Sequence, residues 1–271
     1  MSDVARVAVP LRLRSTMVLG VASATGLVML GWPLLVDVAP QQQLQPPFFF
    51  LALLPLVVLV VLAEVSEGGM DSRVLALLGV LSAANALLRL LGAGTAGIEL
   101  VFFLLILAGR VFGPGFGFVL GCTSLFASAL LTAGVGPWLP YQMIVAAWVG
   151  MGAGMLPRKV GGRKEIVMLV GYAVVAAYGY GILMNLSGWP YALGIAVPGY
   201  EGELSFVPGD PLSENLQRFI VYTLVTSTAT WDTGRAITTS LAVIVLGPSI
   251  LTTLRRAARR AVVAPLPGTS G

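Results

Sequence analysis

The sequence predicts an all-α polytopic membrane protein, and three observations carry that prediction. Apolar residues make up 57% of the 271 positions and charged ones only 10%, where ordinary soluble domains carry about 25% charged residues. Several apolar runs approach the roughly 20 residues that a helix needs to cross a bilayer. The basic residues gather at the ends of those runs, as topology signals do. A soluble core of this composition would leave too few polar residues to cover it.

The spans follow in order. The first is expected at 16–36, followed by DVAPQQQLQPP, and the second at 48–63, followed by EVSEGGMDSR. The start, MSDVARVAVPLRLRS, mimics a signal peptide, but the apolar run behind it is long and lacks a small-x-small cleavage site, so a retained helix is expected. The third span, 74–91, ends in GAGTAG. The fourth, 98–112, is short and ends in RVFGPGFG, and the fifth is 116–133. The sixth, 141–156, ends in PRKVGGRK and the seventh is 166–186. A polar stretch, 187–213, leads into a moderately apolar helix at 213–228, and the last span is 233–251, closed by LRRAARR. The tail APLPGTSG has the composition of a disordered segment.

Eight spans place both termini on one side. Arg6, Arg12, Arg14, Arg73, Arg110, Arg158, Lys159, Arg163, Lys164, Arg255, Arg256, Arg259 and Arg260 then share one face, 13 of the 16 basic residues. The positive-inside rule makes that face cytoplasmic in a multi-pass plasma-membrane protein. Only Arg89, Arg218 and Arg235 are left over. A ninth crossing at 213–228 would break this pattern, so that helix is expected to lie in the interface or re-enter from outside. GAGTAG at 92–97, AGVGPWLPYQM at 133–143 and the acidic segment with Glu201, Glu203, Asp210 and Glu214 then face outward. The last of these is expected to gate a pocket, since long loops without secondary structure are commonly functional.

Chemistry is narrowed by what is missing from the composition. There is no histidine, and the single cysteine, Cys122, lies inside an apolar run. Disulfides, Cys/His metal sites and histidine acid–base catalysis are thereby excluded. No cofactor and no nucleic-acid partner is expected. An intramembrane lipid enzyme would need paired acids, or a nucleophile with a base, at membrane depth. A self-sufficient channel or secondary transporter commonly shows repeated halves with interrupted helices. Neither pattern is found.

From Val74 onward, a helix rich in small residues is followed by a short outer loop, a short helix ending in GRVFGPGFGFVLG, a Pro/aromatic loop, GPWLPYQM, and a helix carrying WVGMGAGMLP. This order resembles the substrate-binding (S) components of energy-coupling-factor transporters, the prokaryotic vitamin importers, and especially the actinobacterial members with two extra N-terminal helices. The resemblance covers 74–254. It implies a six-helix substrate-binding core at 71–256, preceded by a cytoplasmic N-terminus at 1–15 and a hairpin at 16–70, and followed by a cytoplasmic tail at 257–271. It further implies a subunit without catalysis, which captures a vitamin from outside. That subunit would then topple in the bilayer with a transmembrane coupling subunit driven by two ATPases. The absence of a G-x-x-x-x-G-K-[ST] phosphate loop agrees. Cobalamin or a precursor is the substrate that the Pro/aromatic/Gln loop suggests.

Candidate residues follow, each with two readings. Arg89 and Glu99 flank GAGTAG; they either close the hairpin as a salt bridge or line the pocket, because an ionised group in a bilayer costs roughly 2.5–3.5 kcal/mol unless paired or snorkelled. Asn85, one turn deeper, is a pocket residue or an interhelical hydrogen-bonding group. Pro137 and Pro140 stiffen a loop that presents Trp138, Tyr141 and Gln142, suited to a flat polar heterocycle or to interfacial anchoring. Asn185, Trp189 and Tyr191 hold the equivalent place on the seventh span. For docking, Gly79 with Ala83 and Ser82 with Ala86 form small-xxx-small pairs that admit a partner helix or pack internally. The first span offers a rival in Gly20–Ala24 and Ala22–Gly26. Arg110 is expected as a topology anchor or a docking contact, and Asp232 as a helix cap with a local ion pair to Arg235.

Overall fold

The computed structural model describes residues 13–35, 72–92, 97–191 and 204–262. Among them are eight helices and no strand: α1 (Leu13–Leu30), α2 (Ser72–Gly92), α3 (Val101–Phe112), α4 (Pro114–Leu131), α5 (Leu139–Met155), α6 (Arg163–Gly188), α7 (Leu212–Val245) and α8 (Gly247–Val262). The span expected at 48–63 and the tail beyond 262 lie outside the described residues. Helices α1, α2, α4 and α6 are each long and apolar enough to cross a bilayer, and α7 with α8 meets the same standard only as a bent pair, the shape of a broken span or a re-entrant element.

Helix α3 has only 12 residues, about 18 Å at 1.5 Å per residue. Too short to reach both membrane surfaces, it does not need to, because all its residues are buried. Its sequence, VFFLLILAGRVF, is apolar all round, the pattern of a helix enclosed by protein. Gly113, at φ +110°, turns the chain sharply into α4, whose first residue is Pro114.

Helices α3, α4 and α5 meet through glycines. A Cβ on Gly109 or Gly117 would run into the carbonyl of Gly150, and one on Gly150 into the carbonyl of Gly117. A Cβ on Gly154 would likewise meet Gly113 and Pro114. Backbones in direct contact gain dispersion energy where lipid supplies no hydrophobic drive. Gly150 and Gly154 of WVGMGAGMLP are therefore close-packing residues.

Polar side chains stitch α2 to α4. The hydroxyls of Ser82 and Thr123 are 2.7 Å apart, and Asn85 Nδ2 donates to Ser124 Oγ at 3.0 Å. Helix α1 lies on α5, where Trp148 Nε1 donates to Ser23 Oγ at 2.9 Å.

Three expectations are corrected. The helix at 213–228 and the span at 233–251 are one continuous helix, α7, joined by a π-helical segment at Leu224–Asp232. It ends at Val245 rather than 251 and bends 67° into α8 at Gly247-Pro248, where proline cannot continue the hydrogen-bond ladder. Asp232 is not a cap, since its carboxylate bonds sideways within α7. Arg110 is no surface anchor. It is buried, with Nε donating to Glu165 at 2.7 Å and its other nitrogens to the carbonyls of Leu156 (2.9 Å) and Val160 (3.0 Å). Glu165 also receives Arg255 of α8 at 2.6 Å, so one carboxylate ties α3, α6 and α8 together.

Candidate functional site

A cavity of about 560 Å³ opens at the end of the bundle away from the Arg110–Glu165 pair. Its walls come from the end of α2, residues 97–99, the end of α4, the first turn of α5, the last turns of α6 and the π-helical part of α7. Because α3 begins only at Val101, the bundle lacks a central helix at this level, and the cavity occupies that space.

The π-helical segment, LVTSTATWD, shapes one wall. Its i→i+5 register aligns side chains five apart, which an ordinary α-helix would turn away from each other. Ser227 Oγ thus donates to Asp232 Oδ2 at 2.8 Å. Thr233 Oγ1 reaches back five residues to the Thr228 carbonyl at 2.6 Å. Hydroxyls that bond into the preceding turn loosen a helix locally, and this stretch has several. Polar π segments of this kind are frequent at functional sites.

Charge is arranged around Arg235. Its Nε donates to Glu99 Oε2 at 2.6 Å and its Nη1 to Asp232 Oδ1 at 2.9 Å. Its guanidinium carbon also lies 4.8 Å from the ring centre of Tyr180 and 5.4 Å from that of Phe102, within cation–π range. The local pair expected between Asp232 and Arg235 is present, and Glu99 joins it from another part of the chain. Glu99 therefore does not form the hairpin salt bridge with Arg89. Arg89 turns the other way, Nη2 donating to Gln142 Oε1 at 3.1 Å and Nη1 lying 3.5 Å from Ser128 Oγ.

Gly181 lets this cluster form, because a Cβ there would overlap the Asp232 carboxylate. Gly181→Ala is accordingly expected to displace Asp232, costing about 1–3 kcal/mol for the strained, partly unpaired carboxylate. Thermal unfolding in detergent, with Gly179→Ala as control, checks this; a Cβ at Gly179 meets nothing within 4 Å. Equal stability of the two variants would show that Asp232 moves freely.

Of the residues singled out from sequence, Arg89, Glu99, Gln142 and Asn185 line the cavity together. Asn85, Trp138, Tyr141 and Trp189 are not among its lining residues. Asn85 is fully buried between α2 and α4, its Oδ1 without a donor among the described residues. Trp138 is half exposed at the bundle rim, its ring over Gly136. Tyr141, next to Gln142 but turned about 100° around the helix, sits in the core. Trp189 packs with Phe206 and Phe219, its Nε1 donating to the Leu204 carbonyl at 2.6 Å. That cluster fastens residues 204–211 onto α6 and α7, assisted by Asn215, which bonds both backbone groups of Val207 (3.0 and 2.9 Å). The remainder of the acidic segment expected to act as a gate, 192–203, lies outside the described residues. Sequence reading passed over Tyr180, Ser227 and the role of Arg235 in the cavity. The signal was available, since Arg235 is one of three basic residues that the charge pattern left unexplained.

The small-residue pairs divide between two faces. Ser82 and Ala86 are buried against α4, whereas Gly79 and Ala83 are exposed on the outside of α2. On α1, Ala22 and Gly26 are buried, Gly26 beneath Ile144 and Trp148, and Gly20 and Ala24 are exposed.

No curated protein and no solved structure matches the chain. Residues 73–266, most of its length, match the family model for the substrate-specific component of ECF transporters. The match spans every helix from α2 to α8, and so contains the whole cavity wall. On that match the chain belongs to the ECF transporter substrate-specific components, membrane subunits that bind a transported solute and are not enzymes.

Proposed function

We propose that this subunit captures a small vitamin-like solute in the cavity between α2, α5, α6 and α7, and delivers it through a coupling subunit driven by two ATPases. The observation that carries the reading is the cavity itself, polar and charged at one end of a bundle whose opposite end is closed by the Arg110–Glu165–Arg255 cluster. The basic residues of α8 and the start of α6 lie at the opposite end. Under the positive-inside rule this directs the cavity outward and both termini into the cytoplasm.

Its volume of about 560 Å³ lies within the roughly 300–1,000 Å³ typical of drug-sized ligands. A corrinoid, with its macrocycle, amide arms and nucleotide loop, is larger than that class. We therefore favour a smaller vitamin or precursor over the cobalamin-related substrate that the loop sequence suggests.

The exposed pair Gly79 and Ala83 on α2 supports a docking face for the coupling subunit, since small residues let a second helix approach closely. Co-expression with the neighbouring genes, followed by native mass spectrometry, tests the assignment. A retained small molecule together with coupling and ATPase subunits is the expected result; a bare protein would favour a self-sufficient transporter. Gly79→Leu and Ala83→Leu should each weaken assembly at least about tenfold, the effect of losing some 1.4 kcal/mol of contact, while solute binding persists. Normal assembly of both would move the docking face elsewhere, with Gly20 and Ala24 next in line.

A further inference from the structure

The cavity has two walls of opposite charge. On one, Arg235 is shared by Glu99 and Asp232, so the three groups together carry one net negative charge. On the other stands Arg89, held by neutral partners, Gln142 and Ser128, with no carboxylate in ion-pair reach among the described residues. The four charges sum to zero, yet Arg89 is not paired with the surplus negative charge of the Arg235 cluster among the described residues.

Three lining groups keep hydrogen-bonding capacity. A guanidinium has five N–H donors, and Arg89 directs two nitrogens at the protein. Glu99 uses Oε2 on Arg235 and leaves Oε1 without a partner among the described residues. Asn185 Nδ2 is buried against the cavity with no acceptor among the described residues. An orphaned buried donor and a cation without a counter-charge are both costly in a low-dielectric setting. A bound solute that supplied an anion to Arg89 and a donor to Glu99 would relieve them together.

We propose that the transported solute is dipolar, a small zwitterion. Its carboxylate-like group docks on Arg89, with Asn185 Nδ2 as a further donor from the cavity lining, and its amine or other cationic donor faces Glu99. A singly charged ligand would leave one wall uncompensated and add net charge to a cavity in the bilayer, whereas a zwitterion adds none. The inference rests on the importer reading for the site's purpose, but its charge logic is read from the walls alone.

A matched set of probes tests it: 4-(aminomethyl)benzoate as the zwitterion, 4-methylbenzoate as the anion and 4-methylbenzylamine as the cation. Each is titrated by ligand-observed NMR against the full chain in nanodiscs. The zwitterion should bind at least about tenfold more tightly than either relative, the effect expected of one added charge-assisted hydrogen bond. Arg89→Gln should erase its advantage over the amine, and Arg89→Lys should keep most of it. Asn185→Leu should weaken both carboxylate probes and leave the amine unchanged. Equal or tighter binding of either singly charged probe overturns the proposal, as does absence of binding by all three. Assembly with the coupling subunit is scored separately. If it forms while the probes rank otherwise, the dipolar reading falls and the importer reading stands; if the ranking holds without assembly, the reverse is true.

Discussion

Gly150→Leu is expected to prevent stable folding of the bundle. The carbonyl of Gly150 faces Gly109 and Gly117, and the Cα of Gly150 faces the carbonyl of Gly117. Any side chain must push backbone away from backbone, with no flexible end to yield. Inserting bulk into a packed core costs typically 1–3 kcal/mol where rotamers can adjust; here the cost should exceed about 3 kcal/mol. Neighbouring Gly152 is an internal control, because a Cβ there meets only the hydroxyl of Tyr172, the far end of a side chain. Gly152→Ala should therefore lower the unfolding temperature much less. Thermal unfolding in detergent measures both. A Gly150→Leu protein that melts with the wild type would show that the three-helix contact is looser than drawn.

Removing the carboxylate at the opposite end should be nearly as severe. Glu165→Gln leaves the Arg110 guanidinium, 3% exposed, without its counter-ion. Breaking a buried pair from one side costs about 3–5 kcal/mol, because the remaining charge cannot reach water. Arg255, the other partner, is 38% exposed and can turn to solvent, so Arg255→Gln should cost about 1 kcal/mol or less. Glu165→Gln should also free α8, seen as faster amide exchange over Gly247–Val262. Slow exchange there in the variant would mean that α8 is held by its apolar face alone.

The apolar runs made the helices legible because span length and hydropathy are local properties. The expected 166–186 and the observed Arg163–Gly188 differ only at the ends. What failed was wherever polarity had a tertiary cause. The gap at 229–232 reads as an interruption because its threonine and acid suit a loop, yet it lies inside the π-helical segment LVTSTATWD, where Thr226, Ser227, Trp231 and Asp232 line a polar cavity and the helix runs through. Arg110 reads as a boundary marker because its partner, Glu165, lies 55 residues away. Of the two readings of Arg89 and Glu99, the hairpin salt bridge is the one that falls, because only the hairpin is visible locally and α7 supplies the arginine that takes Glu99 instead. The Pro/aromatic loop was legible as a frame, but helical phase decides that Gln142 reaches the cavity and Tyr141 the core.

The π-helical segment has a bearing on how this protein could acquire new cargo. A π bulge is in effect one extra residue lodged in an α-helix, and each residue turns an α-helix by about 100°. Deleting a single codon within 224–232 would let α7 close into a regular helix while Leu212–Thr223 and Thr233–Val245 keep nearly the same phase about its axis, because the residue lost is the extra one. The side chains of the segment itself, Thr226, Ser227 and Trp231 among them, would be rephased, while Tyr222, Arg235 and the glycine-packed helices α3, α4 and α5 stayed as they are. One deletion would rearrange the middle of that wall in a single step, a route to altered selectivity that point substitutions would need several changes to match.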